Sequence, residues 1–349
     1  MTELSEKYWK SMDAGGAPGI RFLRKSWFQS WLNLVQSSNS WTRNIEYIYV
    51  DGTDSNCAII PYAYQKVGPL KFASLPGAYF PHRGIVNTGP ESVLIENAAA
   101  KLGEIPGIYG FRMGPVESND PFVNALTEKL KQNSWKIITM TIGANYGMAP
   151  PASVEDYLSG FSANRRQKMR SHARKMDALG KVELKHFNDV DSAIWEKIFK
   201  DIETVESNAW VSKSGEPRFM GREKQTYWNE LVKDDFYKKA LSVWIIYLDG
   251  EPVSKKVALD AGGIRYYLTS SYDEKVARFN TGVRMEVEFV SDAIVKGIKY
   301  INNGLGDSGY KTQWGSEYYN DLIDIIAFPP TFKGRFAYML AKLKAALGR

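Results

Sequence analysis

Three stretches of this 349-residue chain carry side chains whose types and spacing suit chemistry. The first, Ser271–Gly282, is polar and basic and lacks an apolar period. It lies between a Tyr- and Thr-rich strand, Ile264–Ser270, and a helix whose apolar positions Val283, Val287, Val290, Ile294 and Ile298 recur at helical spacing. Thr281 stands where an N-cap is expected. A strand that feeds a helix through a cationic, glycine-containing loop offers free backbone N–H groups to an anion. The second stretch, Asn164–Met176, is the most basic of the chain. Met169, Ala173, Met176 and Leu179 form one apolar stripe, so its cations lie on the other faces. Arg165 and Arg166, near the helix start, either line an anion site or belong to a solvated cationic face. The third, Gly304-Leu305-Gly306-Asp307-Ser308-Gly309, matches the dinucleotide G-x-G-x-x-G pattern, with Asp324 near the expected later acid. That reading fails, because the fingerprint needs a long helix to begin at the third glycine within a βαβ unit. Here Gly315 interrupts the short segment that follows, and too little chain remains for a doubly wound sheet.

Other chemistries are poorly served. No P-loop and no G-x-S-x-G elbow is present. The three histidines, His82, His172 and His186, are scattered without H-E-x-x-H spacing, which argues against a metal site. The one cysteine, Cys57, excludes an internal disulfide framework and sits in the apolar run Cys57–Ile60, as a buried, inert thiol would.

The elements that must position these stretches can be read around them. Val243–Leu248, the pair Asp249-Gly250, Val253–Asp260, the pair Gly262-Gly263 and Ile264–Ser270 read as three strands joined by two tight turns. After the long helix come a short strand at Lys299–Asn302 and a last strand at Asp321–Phe328, stopped by Pro329-Pro330. Upstream, Val182–His186 reads as a strand, and Ala193–Val205 and Gln225–Leu231 as helices. The first half mixes strands at Ile45–Val50, Cys57–Tyr64, Pro69–Ser74, Gly107–Met113 and Trp135–Thr141 with helices at Ile20–Ser38, Glu91–Leu102 and Pro121–Lys131. Met148-Ala149-Pro150-Pro151 marks a boundary, and Ser153 followed by Asp156 an N-capping pattern. The tail, Thr331–Arg349, sets Phe332, Phe336, Met339, Leu340, Leu343 and Leu347 on one side, and its charges, Lys333, Arg335, Lys342, Lys344 and Arg349, are all positive. Docking on the domain is the preferred reading of this helix, with contact to an anionic membrane the alternative.

Length favours two domains. Hydrophobic content of 44% and charged content of 24% fit a globular protein, and the 13% aromatic content mostly fills cores. A net charge of +6 permits a phosphorylated cofactor, a nucleic acid or an acidic lipid surface without choosing among them. The N-terminus lacks a basic region followed by an apolar one, and no apolar run approaches bilayer length, so a cytoplasmic protein is expected.

The order of three antiparallel strands, cationic loop, helix, strand and final strand is that of the GNAT acyltransferase core. Three motifs sharpen the likeness: Glu155-Asp156-Tyr157-Leu158 with Asn164-Arg165-Arg166; Glu206 with Trp210, Lys213 and Gly215; and Gly306–Lys311 ahead of Trp314. Together they resemble the acetyltransferase domain of the CelD/BcsL family of cellulose and exopolysaccharide biosynthesis, which is similar in turn to the Fem aminoacyltransferases. The resemblance covers about residues 151–330. It implies an α/β (α+β) fold of tandem GNAT domains, with mostly antiparallel mixed sheets and flanking helices. Its divisions are a degenerate GNAT-like domain over 1–150, the acyltransferase domain over 151–330 and a cationic amphipathic tail helix over 331–349.

The activity implied is transfer of an acyl group from acyl-CoA, or an acyl carrier protein, to an amine such as an amino sugar, with no metal. Glu206 and Asp307 are then the candidate bases. Each has a structural alternative: Glu206 as a loop cap or ion pair, Asp307 as the shaper of a glycine turn. Tyr310 is the candidate donor to the leaving thiolate, and Arg278, Asn280, Thr281 and Gly282 the pyrophosphate site. Lys311, Arg165 and Arg166 are candidate substrate-binding cations, and Trp210 and Lys213 candidate contacts to a sugar or acyl chain. Asn302 departs from the resemblance, since family members often carry an acid there. Two alternatives stand beside this reading: a Fem-like transferase using aminoacyl-tRNA, suited by the basic helix, and a non-catalytic accessory protein of polysaccharide assembly.

Overall fold

In the computed structural model, residues 6, 8–10, 22–78, 82–214 and 217–347 are described. Gly215 of the second motif, Arg349 and most of the extreme N-terminus lie outside them. Two compact units are present: Met1–Ala144 together with Asn320–Arg349, and Asn145–Tyr319. The last strand and the tail helix thus return to the first unit, whereas the proline pairs suggested divisions near 150 and 330.

The second unit is built on the two hairpins expected. Strands β9 (Leu241–Leu248), β10 (Glu251–Ala261) and β11 (Ile264–Tyr272) pair antiparallel, from Glu251↔Leu248 and from Ala261↔Ile264. Both turns need positive φ at their central residues, and Asp249 (51°), Gly250 (88°), Gly262 (58°) and Gly263 (79°) supply it. Strand β8 (Val182–Phe187) flanks β9, and β12 (Tyr300–Leu305) flanks β11 as its parallel neighbour. Met148 to Asn145, at the end of β7 (Lys136–Met148), close the other side of β12. The sheet is therefore mixed and mostly antiparallel.

Helices cover both faces. One face carries α5 (Ala163–Asp177) and α10 (Thr281–Val295), with Trp244, Ile246, Met285, Phe289 and Val290 in the core beneath them. The short α4 (Val154–Ser159) adds Tyr157 to this core, and Ser153 caps it as its spacing indicated, accepting from Asp156 N. The other face carries α6 (Ser192–Ser207), which packs on β10 and β11 and is followed in the chain by α7 (Val211–Ser214), α8 (Arg222–Leu231) and α9 (Asp235–Ala240).

The first unit also mixes strand directions. Its strands run β1 (Glu46–Asp51), β2 (Cys57–Val67), β3 (Leu70–Ser74), β5 (Gly110–Arg112) and β13 (Glu317–Phe328), with the two-residue β4 (Val86–Asn87) beside β2 and β6 (Val116–Glu117) beside β13; of these pairs β3 and β5 are parallel and the rest antiparallel. Helices α2 (Ser92–Gly103) and α3 (Pro121–Gln132) bury Leu94, Leu102, Leu126 and Leu130 in a core shared with Ile60, Phe111 and Ile325. The first helix is shorter than its periodicity suggested: α1 spans Lys25–Trp31 and gives way to a 3-10 turn at Leu32–Val35, while residues 20 and 21 lie outside the described chain. The tail forms α12 (Phe332–Ala346), started by Thr331, whose hydroxyl accepts from Gly334 N.

Candidate active site

The stretch between β11 and α10 is more ordered than its lack of apolar period suggested. Asp273 accepts from Lys275 N and starts a 3-10 turn over Glu274–Phe279. Asn280 then takes the left-handed conformation (φ 50°) and occupies the N-cap position, where Thr281 was expected; Thr281 is the first helical residue. No side chain among the described residues caps the first turn of α10, where Val283 N donates to Asn280 O at 2.9 Å; an uncapped helix start of this kind can present N–H groups to an anion. The Thr281 hydroxyl is buried without a hydrogen-bond partner among the described residues, as are those of Ser271 and Tyr157.

A groove of about 330 Å³ opens beside this turn. Its lining brings Asn280 together with Arg166, Arg170, His172 and Arg284, alongside one acid, Glu288. Asn280 Nδ2 lies 3.1 Å from His172 Nε2, and Arg284 pairs with Asp177 at 3.1 Å. Arg166 donates to the carbonyls of Ser159 and Phe161, which fixes the end of α4 against the start of α5. Arg278 is exposed, its guanidinium 4.7 Å from the Phe279 ring.

Beneath α10 lies a buried polar cluster that sequence reasoning missed. Lys256 Nζ sits 2.5 Å from Glu286 Oε2, with both side chains 5% exposed. The Tyr310 hydroxyl reaches the same oxygen at 3.3 Å and the Gly282 carbonyl at 3.5 Å. Tyr310 keeps 44% of its surface open, yet its hydroxyl points inward. Burial, and then Glu286, push the Tyr310 phenol well above its ordinary value, so at neutral pH it holds its proton. Tyr157 is raised in the same way. Burial lowers Lys256, against the pull of Glu286. A β-carbon on Gly282 would stand 3.4 Å from Tyr310 Oη, an ordinary van der Waals contact, so this corner has room for one.

The third stretch folds as a clasp. Asp307 accepts from Lys311 N at 2.8 Å and Thr312 N at 3.1 Å, starting α11 (Tyr310–Gln313). Burial raises the Asp307 carboxyl, but hydrogen bonds from Thr312 and from backbone N–H groups outweigh it and hold it below the ordinary range. Lys311 Nζ donates to the carbonyls of Gly304 (2.9 Å) and Leu305 (2.8 Å). Burial lowers Lys311 to about 8, with Asp307 opposing and Lys256 reinforcing the shift. Arg165 stacks 4.6 Å from the Phe161 ring and 4.7 Å from the Trp314 ring, and so belongs to this side of the site.

Between these parts the sheet opens. Pairing of β11 with β12 runs from Ile264↔Tyr300 to Tyr266↔Asn302 and stops there, although β11 continues to Tyr272 and β12 to Leu305. Two parallel strands that part leave facing backbone edges able to bind an extended ligand.

Glu206 is not brought to Tyr310 and Asp307. Successive strand residues point to opposite faces, and Lys255 is directed to α6. Its Nζ lies 2.7 Å from Glu206 Oε1, with exposures of 0% and 1%, and Phe219 N donates to Oε2 at 2.9 Å. A carboxylate so enclosed fits the structural alternative weighed for Glu206, that of an ion pair. Trp210 is 53% exposed. Lys213 pairs with Glu274 at 2.7 Å, and Glu274 N donates to Asn208 O at 3.2 Å, so the Trp210 segment is tied to the turn before α10. A signal for the missed cluster existed: two consecutive lysines inside an otherwise apolar strand require buried acids on both faces. Glu286, within the apolar period of α10, is one of them.

Comparison with known proteins agrees with this geometry. Residues 163–312 match the family described as the acetyltransferase (GNAT) domain. Among solved structures, FemX superposes with a TM-score of 0.64 at 12% identity, covering 93% of this chain and 96% of that one. The C-terminal domain of a putative lysylphosphatidylglycerol synthetase from Agrobacterium fabrum gives 0.54 at 10% identity, over 97% and 96%. L-PGS from Bacillus licheniformis gives 0.53 at 11% identity, over 99% and 96%. No curated protein matches. The architecture is a GNAT-type acyltransferase fold.

Proposed function

We propose that this protein transfers an acyl group from acyl-CoA, or an acyl carrier protein, to an amine, with an amino sugar of a surface polysaccharide as the acceptor class. The observation that carries this reading is the alignment of three parts in the second unit: the opening between β11 and β12, the uncapped α10 start, and the inward hydroxyl of Tyr310. The opening suits an extended pantetheine arm, and the helix start beside Arg170 and Arg284 suits its phosphates. Among the described residues no cluster of His, Cys, Asp and Glu suits a metal ion, and none is used in this scheme.

The amine nitrogen attacks the thioester carbonyl carbon, and the C–S bond breaks as the tetrahedral intermediate collapses. Tyr310, kept protonated by burial, gives its proton to the departing sulfur while Glu286 orients its hydroxyl, and the proton that the nitrogen sheds as the amide forms is taken back by the Tyr310 oxygen, so one N–H is exchanged for one S–H. Asp307 serves as a clasp rather than a base, because both carboxylate oxygens already accept backbone N–H groups. The acceptor must therefore arrive with its nitrogen lone pair free. The first unit is read as a degenerate GNAT-like domain. A CelD/BcsL-like role at the cytoplasmic side of polysaccharide assembly follows from the sequence resemblance.

A second reading, transfer of an aminoacyl group from tRNA, is favoured by the cations of α5 and by the likeness of fold to FemX. Thermal denaturation with acetyl-CoA, longer acyl-CoAs and charged tRNA separates the two. The acyl-CoA reading expects stabilisation by a thioester and release of free thiol on adding an amino sugar. Stabilisation by charged tRNA alone, lost as salt is raised, would replace it with the second reading.

A further inference from the structure

The tail helix α12 docks by its small side. Gly334 and Ala337 are buried, and Tyr338 and Ala341 are half-buried. Its large apolar residues, expected to be the docked face, point outward. Phe332 is 86% exposed, Leu347 64%, Met339 62% and Leu343 58%, with Phe336 and Leu340 exposed between them. At 3.6 residues per turn these six positions span an arc of about 100°. Lys333 and Lys344 border one edge of that arc, and Arg335 and Lys342 the other. The last acidic residue of the sequence is Asp324, so the helix has no negative charge of its own. A second copy packed by the same face would set cation rows against cation rows with no acid between them. An apolar stripe bordered on both sides by Lys and Arg is complementary to one kind of surface, a bilayer with anionic headgroups.

We propose that α12 lies flat on an anionic phospholipid surface, its apolar stripe at the boundary of headgroups and acyl chains and its four cations among the headgroups. This goes beyond acyl transfer and does not depend on it. The stripe is exposed, so substitutions there leave the core of the first unit untouched.

The test is co-sedimentation of the full chain with vesicles of phosphatidylcholine alone and of phosphatidylcholine with one third phosphatidylglycerol. Binding is expected to the anionic vesicles and to be weakened by salt. Phe336→Glu with Leu343→Glu should abolish it. Lys342→Ala and Lys344→Ala should each weaken it roughly fivefold. Circular dichroism of each variant, matching the unsubstituted chain, shows that the fold is retained. Light scattering across a concentration series runs in parallel. The proposal is overturned if neutral and anionic vesicles bind alike, if neither binds, or if the unsubstituted chain is a dimer that Phe336→Glu with Leu343→Glu dissociates.

Discussion

The hydroxyl of Tyr310 lies 3.3 Å from Glu286 Oε2, the same oxygen that receives Lys256 Nζ at 2.5 Å. A phenol that shares a carboxylate oxygen with a buried ammonium is held in one direction and kept protonated. On the acyl-transfer reading, Tyr310→Phe removes the proton donor but not the ring. We expect kcat for thiol release to fall about a hundredfold with KM for the thioester nearly unchanged. Equal activity of Tyr310→Phe would remove Tyr310 from the chemistry.

The two buried lysines of β10 give a paired prediction on stability. Glu206→Gln strands the Lys255 charge on one face, and Glu286→Gln strands that of Lys256 on the other. Breaking one member of a buried pair costs about 3–5 kcal/mol. Lys255→Met combined with Glu206→Leu should recover much of that loss, because the pair is then replaced by apolar volume. The activities should part where the stabilities do not. Folded Lys255→Met/Glu206→Leu should keep its turnover, whereas Lys256→Met/Glu286→Leu should lose it along with the orientation of Tyr310. Urea denaturation and turnover per folded molecule, taken on the same samples, decide this.

Much of the second unit was legible because its signals are local. Asp249-Gly250 and Gly262-Gly263 supply the positive φ their turns need, and Val283 to Ile294 mark α10 by period alone. The start of α10 was displaced by one residue, since Asn280 tolerates the left-handed conformation that ends the preceding 3-10 turn. What was not legible depends on partners distant in sequence. Glu206 and Glu286 are both acids beside apolar helical positions, and only Lys255 and Lys256, facing opposite ways, distinguish a structural pair from one beside Tyr310. The orientation of α12 was hidden for a different reason. Periodicity finds the large apolar stripe, but close packing selected the small side at Gly334 and Ala337.

Lys311 gives a pH prediction whose sign can be worked out. Its folded value is lowered to about 8 from an ordinary 10.5, so between these limits the unfolded chain binds more protons than the folded one. Stability contributed by this group therefore rises with pH across that window, and its penalty is fully present below about 8. Lys311→Met should flatten the slope of unfolding free energy against pH between 8 and 10.5 relative to the unsubstituted chain, whatever its offset. Parallel curves for the two proteins in urea denaturation would show that Lys311 does not titrate there.

Arg170 lines the groove beside Asn280 on the exposed surface of α5, whereas Arg166 is tied to backbone carbonyls and Arg284 to Asp177. Of the three it can turn to a ligand phosphate at the least structural cost. A charge-assisted hydrogen bond to phosphate is worth about 1.5–3 kcal/mol, so Arg170→Ala should raise KM for acyl-CoA by roughly tenfold or more. The proton donor is untouched, and kcat should stay within about twofold, the pattern of lost uniform binding. Dephospho and desulpho forms of CoA locate the contact. A variant that discriminates less between full CoA and pantetheine than the unsubstituted protein has lost a phosphate contact. If Arg170→Ala leaves KM unchanged at low ionic strength, where such contacts are strongest, the groove is not the phosphate site, and the uncapped start of α10 must hold the carrier without α5.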